Sequence, residues 1–295
     1  MRRVLKFVLI VLGAIVAVCL VIVLGFYIVG GIQLNRTYTV EPASLSIPTG
    51  NPEAIAKGKH FAEAISLCTE CHGPDLSGKV LSSDPVFGRL APENLTSGEG
   101  GIGGTYSDAD FVRAIRHGVD AKGHALPIMP SKYYQKLSGE DTAAIIAYVR
   151  SVPPVDKEVP ESTLGVLGRI LLVTGQLKGF FEYHDIDHGA APPNAPTPGA
   201  TAEYGKYLAT VCTACHGTNL QGGPVPGDPE GAIAPNAVAA AQRWTDSEFM
   251  ETLRTGTTPE NKALDKEKMP WDDLGKMTDD ELRAVYLYLK SLPAS

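Results

Sequence analysis

One five-residue pattern occurs twice in this chain, and it decides what the core must be built around. Cys68-Thr69-Glu70-Cys71-His72 recurs as Cys212-Thr213-Ala214-Cys215-His216. Cys-x-x-Cys-His is the attachment signature of c-type haem. Two thiols three residues apart on a helical turn add across the two vinyl groups of one porphyrin, and the adjacent histidine lies under the iron as proximal ligand. A lone Cys-x-x-Cys also suits a thioredoxin-like redox pair or half of a zinc site. Either leaves the histidine unexplained, and zinc needs two more ligands nearby. Two copies in a repeated frame imply two covalently bound haem c groups, each held by Cys68, Cys71 and His72 or by Cys212, Cys215 and His216.

The frame itself repeats. Gly58-Lys59-His60-Phe61 precedes the first motif as Gly205-Lys206-Tyr207-Leu208 precedes the second. Phe111, Arg116 and Gly118 match Phe249, Arg254 and Gly256 at a constant offset. Met129-Pro130, Ser138, Tyr148 and Pro153 likewise match Met269-Pro270, Thr278, Tyr288 and Pro293. Helix-start signals stand at corresponding places: Ser107 with Asp110, Thr245 with Glu248, Ser138 with Asp141 and Thr278 with Glu281. Gly118 reads as a helix stop. The period is far too long for a solenoid, so the repeat is two globular units of all-α class.

The sixth position on each iron has one candidate per unit. Met129, the only methionine of the first unit, lies in Leu126-Pro127-Ile128-Met129-Pro130; Met269-Pro270 occupies the same place in the second. A thioether there favours ferrous iron, and the neighbouring prolines stiffen the loop that presents it. Methionine is ordinarily core filler, which is how Met250, inside a capped helix, and Met277, at a helix entrance, read. His117 and His124 are alternatives to Met129, although His117 also suits a cationic cap at a helix C-terminus.

Residues 7–32 contain no charged side chain. At about 1.5 Å per residue they exceed a hydrocarbon core of about 30 Å, whereas a cleaved signal has an apolar run of only about 7–15 residues. We read a retained single-pass anchor over residues 1–35, its N-terminus in the cytoplasm because Arg2, Arg3 and Lys6 precede it. A tether follows over 36–50, then a first domain over 51–155, a linker over 156–199 and a second domain over 200–295. Within the linker, 163–181 is apolar apart from Arg169, Gln176 and Lys178 and reads as a short amphipathic helix on a membrane, on a partner or between the domains. The tail, 191–198, is rich in proline.

Five cysteines are present, four of them in the motifs, with Cys19 in the apolar run; no pair remains for a structural disulfide. Of the 26 Lys and Arg, three precede the anchor, so residues 7–295 carry 23 basic against 33 acidic side chains. That balance argues against nucleic acid and suits partners with basic docking faces, or simply solubility. The glycine-rich stretch 97–104 lacks the Gly-Lys-Ser/Thr ending of a phosphate loop and follows no strand.

Further segments resemble a known family. Ala91-Pro92-Glu93-Asn94-Leu95-Thr96, Gly101-Ile102-Gly103, Tyr106-Ser107-Asp108-Ala109-Asp110-Phe111 and Arg113-Ala114-Ile115-Arg116-His117-Gly118 look like the cytochrome c subunits of bacterial membrane-bound alcohol, aldehyde and gluconate dehydrogenases. Leu137-Ser138 and Tyr148-Val149-Arg150-Ser151-Val152-Pro153-Pro154 fit as well, as do Tyr204-Gly205-Lys206-Tyr207-Leu208 and Met269-Pro270-Trp271 in the second unit. Those subunits typically carry three haem motifs; this chain has two. The resemblance implies class I cytochrome c folds, His72, Met129, His216 and Met269 as axial ligands, and a periplasmic site outside a bacterial inner membrane. As part of it, Asn94-Leu95-Thr96 reads as a turn at the haem edge rather than a glycosylation sequon.

The expectation is a membrane-tethered dihaem electron carrier. Its redox partners would be a dehydrogenase, a quinol:cytochrome c oxidoreductase or a terminal oxidase. The alternatives are a dedicated subunit of an alcohol- or aldehyde-type dehydrogenase and a dihaem peroxidase. A peroxidase needs an iron with a displaceable ligand, and two Met-Pro candidates speak against it. Nothing resembles a catalytic site for an organic substrate, such as a nucleotide-binding glycine fingerprint after a strand.

Overall fold

The computed structural model describes residues 2–177, 179–225 and 231–293; Lys178 lies outside them. Helix α1, Arg2–Leu34, is exposed along most of its length, with Gly30 its one buried residue. Among the described residues it is the one helix long and apolar enough, by length and composition, to cross a membrane. The segment after it is extended as expected but not free. It lies along the first domain, with Thr37 bridging His124, the Tyr38 amide donating to the Gly123 carbonyl at 2.7 Å, and Val40 buried.

In the first domain α2, Pro52–His60, starts where Asn51 Oδ1 accepts from the Glu53 and Ala54 amides, with proline at the position that needs no amide hydrogen. It runs into a π turn, Phe61–Ile65, and then α3, Cys68–His72. A hairpin of β1, Ser82–Asp84, and β2, Gly88–Leu90, follows, with Ser82 opposite Leu90. Next come α4, Asp108–His117, α5, Ser131–Tyr134, and α6, Gly139–Ser151. The capping signals are realised: Ser107 and Asp110 form a reciprocal box, Ser138 caps α6, and Gly118 ends α4 in the left-handed region at φ 63°.

The linker adds β3, Thr163–Leu164, antiparallel to β2, and α7, Val166–Val173. The second domain repeats the plan with α8, Ala202–Leu208, α9, Thr213–His216, and a pair formed by β4, Gly223–Pro224, and β5, Ile233–Ala234. Helices α10, Ala237–Arg243, α11, Asp246–Thr255, α12, Trp271–Leu274, and α13, Asp279–Ser291, complete it. Helices dominate, as the sequence implies. The strands were not foreseen, because two or three residues are too few to display an alternating pattern.

In each domain the first helix crosses the last at a glycine. A Cβ on Gly58 would meet the Ala144 carbonyl oxygen at 1.8 Å, and one on Gly205 would meet that of Ala284 at 1.8 Å. The repeated glycine is therefore a close backbone approach, which any side chain would prevent. One cluster of buried side chains runs through both domains, from Phe61, Ile65, Phe111 and Ile146 to Leu208, Phe249, Leu282 and Leu289.

Candidate haem-binding sites

Each attachment motif is followed by backbone positions that a β-carbon disfavours, and the first is also preceded by one. Leu67, just before α3, has φ 55°; Gly73 and Leu76 after it have φ 81° and 57°. In the second domain Gly217 and Leu220 repeat this at 77° and 59°. These turns bring the chain back under the histidine: the Gly78 amide donates to the His72 carbonyl at 2.7 Å, and Gly222 to that of His216 at 2.8 Å. Left-handed leucines cost energy and recur where a site over-determines the backbone.

The two histidines are oriented alike. His72 Nδ1 donates to the Glu93 carbonyl at 2.8 Å, and His216 Nδ1 to that of Pro235 at 2.8 Å. Holding the proton on Nδ1 leaves Nε2 as the free lone pair, the arrangement that iron-ligating histidines require. Burial lowers the proton affinity of His72, which favours the same neutral ring.

None of the four motif cysteines is in a disulfide. Burial, then the neighbouring sulfur, pushes Cys68 up to about 12, and Cys212 likewise to about 12. A redox dithiol is served by a depressed thiol, whereas Cys68, Cys71 and Cys212 are all raised by burial, which speaks against the thioredoxin-like reading. Among the described residues no three His, Cys, Asp or Glu side chains gather as a metal site, so the zinc reading has no further ligands. Thiols for two thioethers, a histidine with Nε2 free and a methionine packed on the same core fit haem c in each domain.

Met129 and Met269 are both half-buried against the core cluster. Met129 follows Ile128, which is left-handed at φ 55° and whose amide donates to the Phe180 carbonyl at 2.7 Å. Met269 instead donates its amide to the Asp265 carbonyl at 2.9 Å. Behind both loops lies the repeated arginine: Arg116 donates to the Leu137 carbonyl, and Arg254 to that of Gly275. Met277 is fully packed and Met250 lies within α11, as core residues do.

His117 corrects one expectation. It ends α4, but it is 3% exposed with Nδ1 at 3.1 Å from His188 Nδ1. Burial first, then His188, Arg116 and Arg113, lowers it to about 4, so it stands neutral rather than as a cationic cap. His124 pairs with Asp120.

Asn94 is wholly buried, which removes the sequon reading. Its Nδ2 donates to the Val155 and Lys157 carbonyls, and its Oδ1 accepts from Thr96. It thus fixes the turn whose Glu93 carbonyl holds His72. The glycine-rich stretch packs on the same linker segment: a Cβ on Gly98 would strike Val155 backbone at 2.3 Å.

The two sites adjoin. His60 Nε2 lies 2.7 Å from Glu281 Oε2, and the Tyr207 hydroxyl donates to the Asp141 carboxylate. His60 and Tyr207 are equivalent in the repeat, as are Asp141 and Glu281. Each carboxylate also sits at the start of its domain's last helix, so the first helix of either domain reads the last helix of the other. Sequence reasoning placed these four in the repeated frame and at the capped helix starts but missed that they pair, since partners 66 to 221 residues apart leave no local pattern. Nearby, Glu70 of the first motif meets Asp273 from α12; burial and that carboxyl push Glu70 up to about 7.

Residues 53–149 match a family model described as cytochrome c oxidase, cbb3-type, subunit III, and residues 202–293 match one described as cytochrome c. A fructose dehydrogenase cytochrome subunit of Gluconobacter japonicus is 26% identical over 291 residues, covering 88% of this chain and 56% of the relative. A diheme cytochrome c-type protein of Cereibacter sphaeroides is 26% identical over 294 residues, covering 90% and 93%. The cytochrome c subunit of a quinone alcohol dehydrogenase from Gluconacetobacter polyoxogenes is 27% identical over 276 residues, covering 83% and 57%. The chain thus spans little more than half of those two dehydrogenase subunits.

Proposed function

Because the chain carries two cytochrome c domains for two haem c groups, we propose that it is a membrane-tethered carrier of single electrons, taking them from a dehydrogenase or quinol oxidoreductase toward a terminal acceptor. The observation that carries this reading is the reciprocal contact between domains. The segments forming it, around His60 and Tyr207, lead directly into the two attachment motifs. The two sites then form one unit rather than two beads on a string.

Haem c, when bound, supplies a reversible one-electron couple. The residues proposed to hold it are Cys68, Cys71 and His72 with Met129, and Cys212, Cys215 and His216 with Met269. The chain's part is to fix these groups, exclude water with the buried core and leave an edge open to a partner. The Glu93 and Pro235 carbonyls hold the histidine rings, and the methionine loops would supply a second ligand to each iron. Helix α1 is proposed to anchor the chain in a bacterial inner membrane, with Arg2, Arg3 and Lys6 on the cytoplasmic side and both domains in the periplasm.

A second reading, a dedicated electron outlet of an alcohol- or aldehyde-type dehydrogenase, is supported by the names of the relatives. Purification from native membranes in mild detergent, with mass spectrometry of what stays bound, separates the two. A stoichiometric dehydrogenase subunit makes this chain its outlet. Recovery alone or with an oxidase or quinol oxidoreductase makes it a tethered shuttle. A resting high-spin haem would contradict both and revive a peroxidase.

A further inference from the structure

Outside α1, seven large apolar side chains are exposed among the described residues, and five of them, Val80, Leu81, Val86, Val166 and Leu167, belong to the β1–β2 hairpin and α7. These two elements are joined in one body. β3, just before α7, pairs with β2, the Gly165 and Leu167 amides donate to Phe87 and Val86, and a Cβ on Gly168 would strike the Phe87 carbonyl oxygen at 2.3 Å.

The same body is clamped to the end of α1. Arg169 lays its stem on Gly30, where a Cβ would come within 2.7 Å of Arg169 Cβ. Its guanidinium stacks 4.0 Å from the Tyr27 ring centroid and donates to the Tyr27 carbonyl at 3.1 Å. Counting from Phe7, a hydrocarbon core of about 30 Å ends near Tyr27. Tyr27 and Arg169 are the side chains that favour this boundary, one as an interfacial aromatic and the other as a cation on an apolar stem. The apolar patch therefore starts at the depth where acyl chains meet headgroups.

The exposed Asp84 carboxylate at the hairpin tip accepts from the Val86 and Phe87 amides, and Lys79, exposed beside Val80, offers a cation to headgroup phosphates. We propose that the hairpin and α7 form a second, monotopic contact with the lipid bilayer, seating the first domain on the membrane rather than letting it swing on the anchor. This rests on the reading of α1 as the anchor.

The test is a membrane-soluble carbene label. The full haem-loaded chain, in vesicles of phosphatidylethanolamine and phosphatidylglycerol, is photolysed and its labelled peptides are mapped. Residues 80–86 and 166–167 should be labelled together with α1, at least about tenfold above the equally apolar and exposed Ile233 and Leu287. Label on α1 alone overturns the bilayer contact and leaves the anchor standing, as a protein-facing patch would; label on neither removes both. Val86→Asp with Leu167→Asp, at exposed positions, should cut labelling of Val80, Leu81 and Val166 at least about fivefold while haem content and α1 labelling stay constant. Unchanged labelling in that variant would also overturn the proposal.

Discussion

The two domains differ less in how they orient the histidine than in how they secure the loop that carries the proposed methionine ligand. Both end the attachment helix in the same left-handed turns and give the ring proton to a backbone carbonyl at 2.8 Å. The first domain then fastens its Met129 loop from outside, through Phe180 of the linker. It surrounds that fastening with rings: Tyr38 on Tyr183 at 3.9 Å, Tyr183 on His188 at 4.3 Å, and His188 on His117 at 5.3 Å. The second domain holds Met269 with its own Asp265, and Thr255 stands where the first has His117. The repeat therefore preserves the orientation of the histidine and leaves each domain its own means of fastening the methionine loop.

The largest effect comes from removing the methionines. Met129→Ala and Met269→Ala should each open one iron, so that a ferrous chain inert to carbon monoxide binds one molecule per chain, with a lowered potential at that haem. The measurement is carbon monoxide titration followed in the visible spectrum. A low-spin spectrum unchanged in either variant would remove that methionine as ligand and turn attention in the first domain to His117 or His124. If Met250→Ala or Met277→Ala behaved like Met269→Ala, the correspondence between the two loops would fail.

The haem was legible because its signature is local: five contiguous residues name it, and Met-Pro at one place in both units nominates a second ligand. Capped helix starts were legible for the same reason. What the sequence did not display is long-range. Asn94 read as a turn at the haem edge, and its two hydrogen bonds to the linker carbonyls of Val155 and Lys157 depend on residues about sixty positions away. His117 looked like a cation at a helix end, because a helix position is readable from spacing but its burial under 183–188 is not. The apolar run 163–181 suggested a membrane or partner contact, while its clamp on Gly30 and its pairing with the hairpin could come only from the fold.

An intermediate effect tests the fastening of the first domain. His117 is lowered to about 4 against an ordinary value of 6.5, by burial first and then by His188, Arg116 and Arg113. Between those values the unfolded chain takes up the proton and the folded chain does not. The neutral ring therefore contributes stability that is complete above about pH 6.5 and is lost as pH falls toward 4, about 1–3 kcal/mol in all. Thermal unfolding from pH 7 to 4.5 should show the first domain's transition, followed by its haem absorbance, falling more steeply than the second's. His117→Thr, the residue of the second domain, should flatten that slope. Equal slopes in the two domains of the wild type would break the contrast.

The smallest effect concerns the one place where the domains are most alike, their reciprocal contact. Tyr207→Phe removes a hydrogen bond to Asp141 and the acceptor of the Ser138 amide but leaves the carboxylate with Lys57 and the Ser138 hydroxyl, so the loss should be about 1–2 kcal/mol. His60→Gln acts on the other side with a pH signature. Burial pushes Glu281 up, but the hydrogen bonds from His60 and the Thr278 amide outweigh it and hold the carboxyl below its ordinary 4.5. A depressed carboxylate contributes stability above its ordinary value and loses it as pH falls through the folded one. The cost of His60→Gln should therefore be present at pH 6 and fade below about pH 4.5, whereas that of Tyr207→Phe should not follow Glu281. The double variant should cost the sum of the two if the contacts act independently. A cost well below the sum would mean that losing either contact already parts the domains, and the two haem sites would then separate as one event.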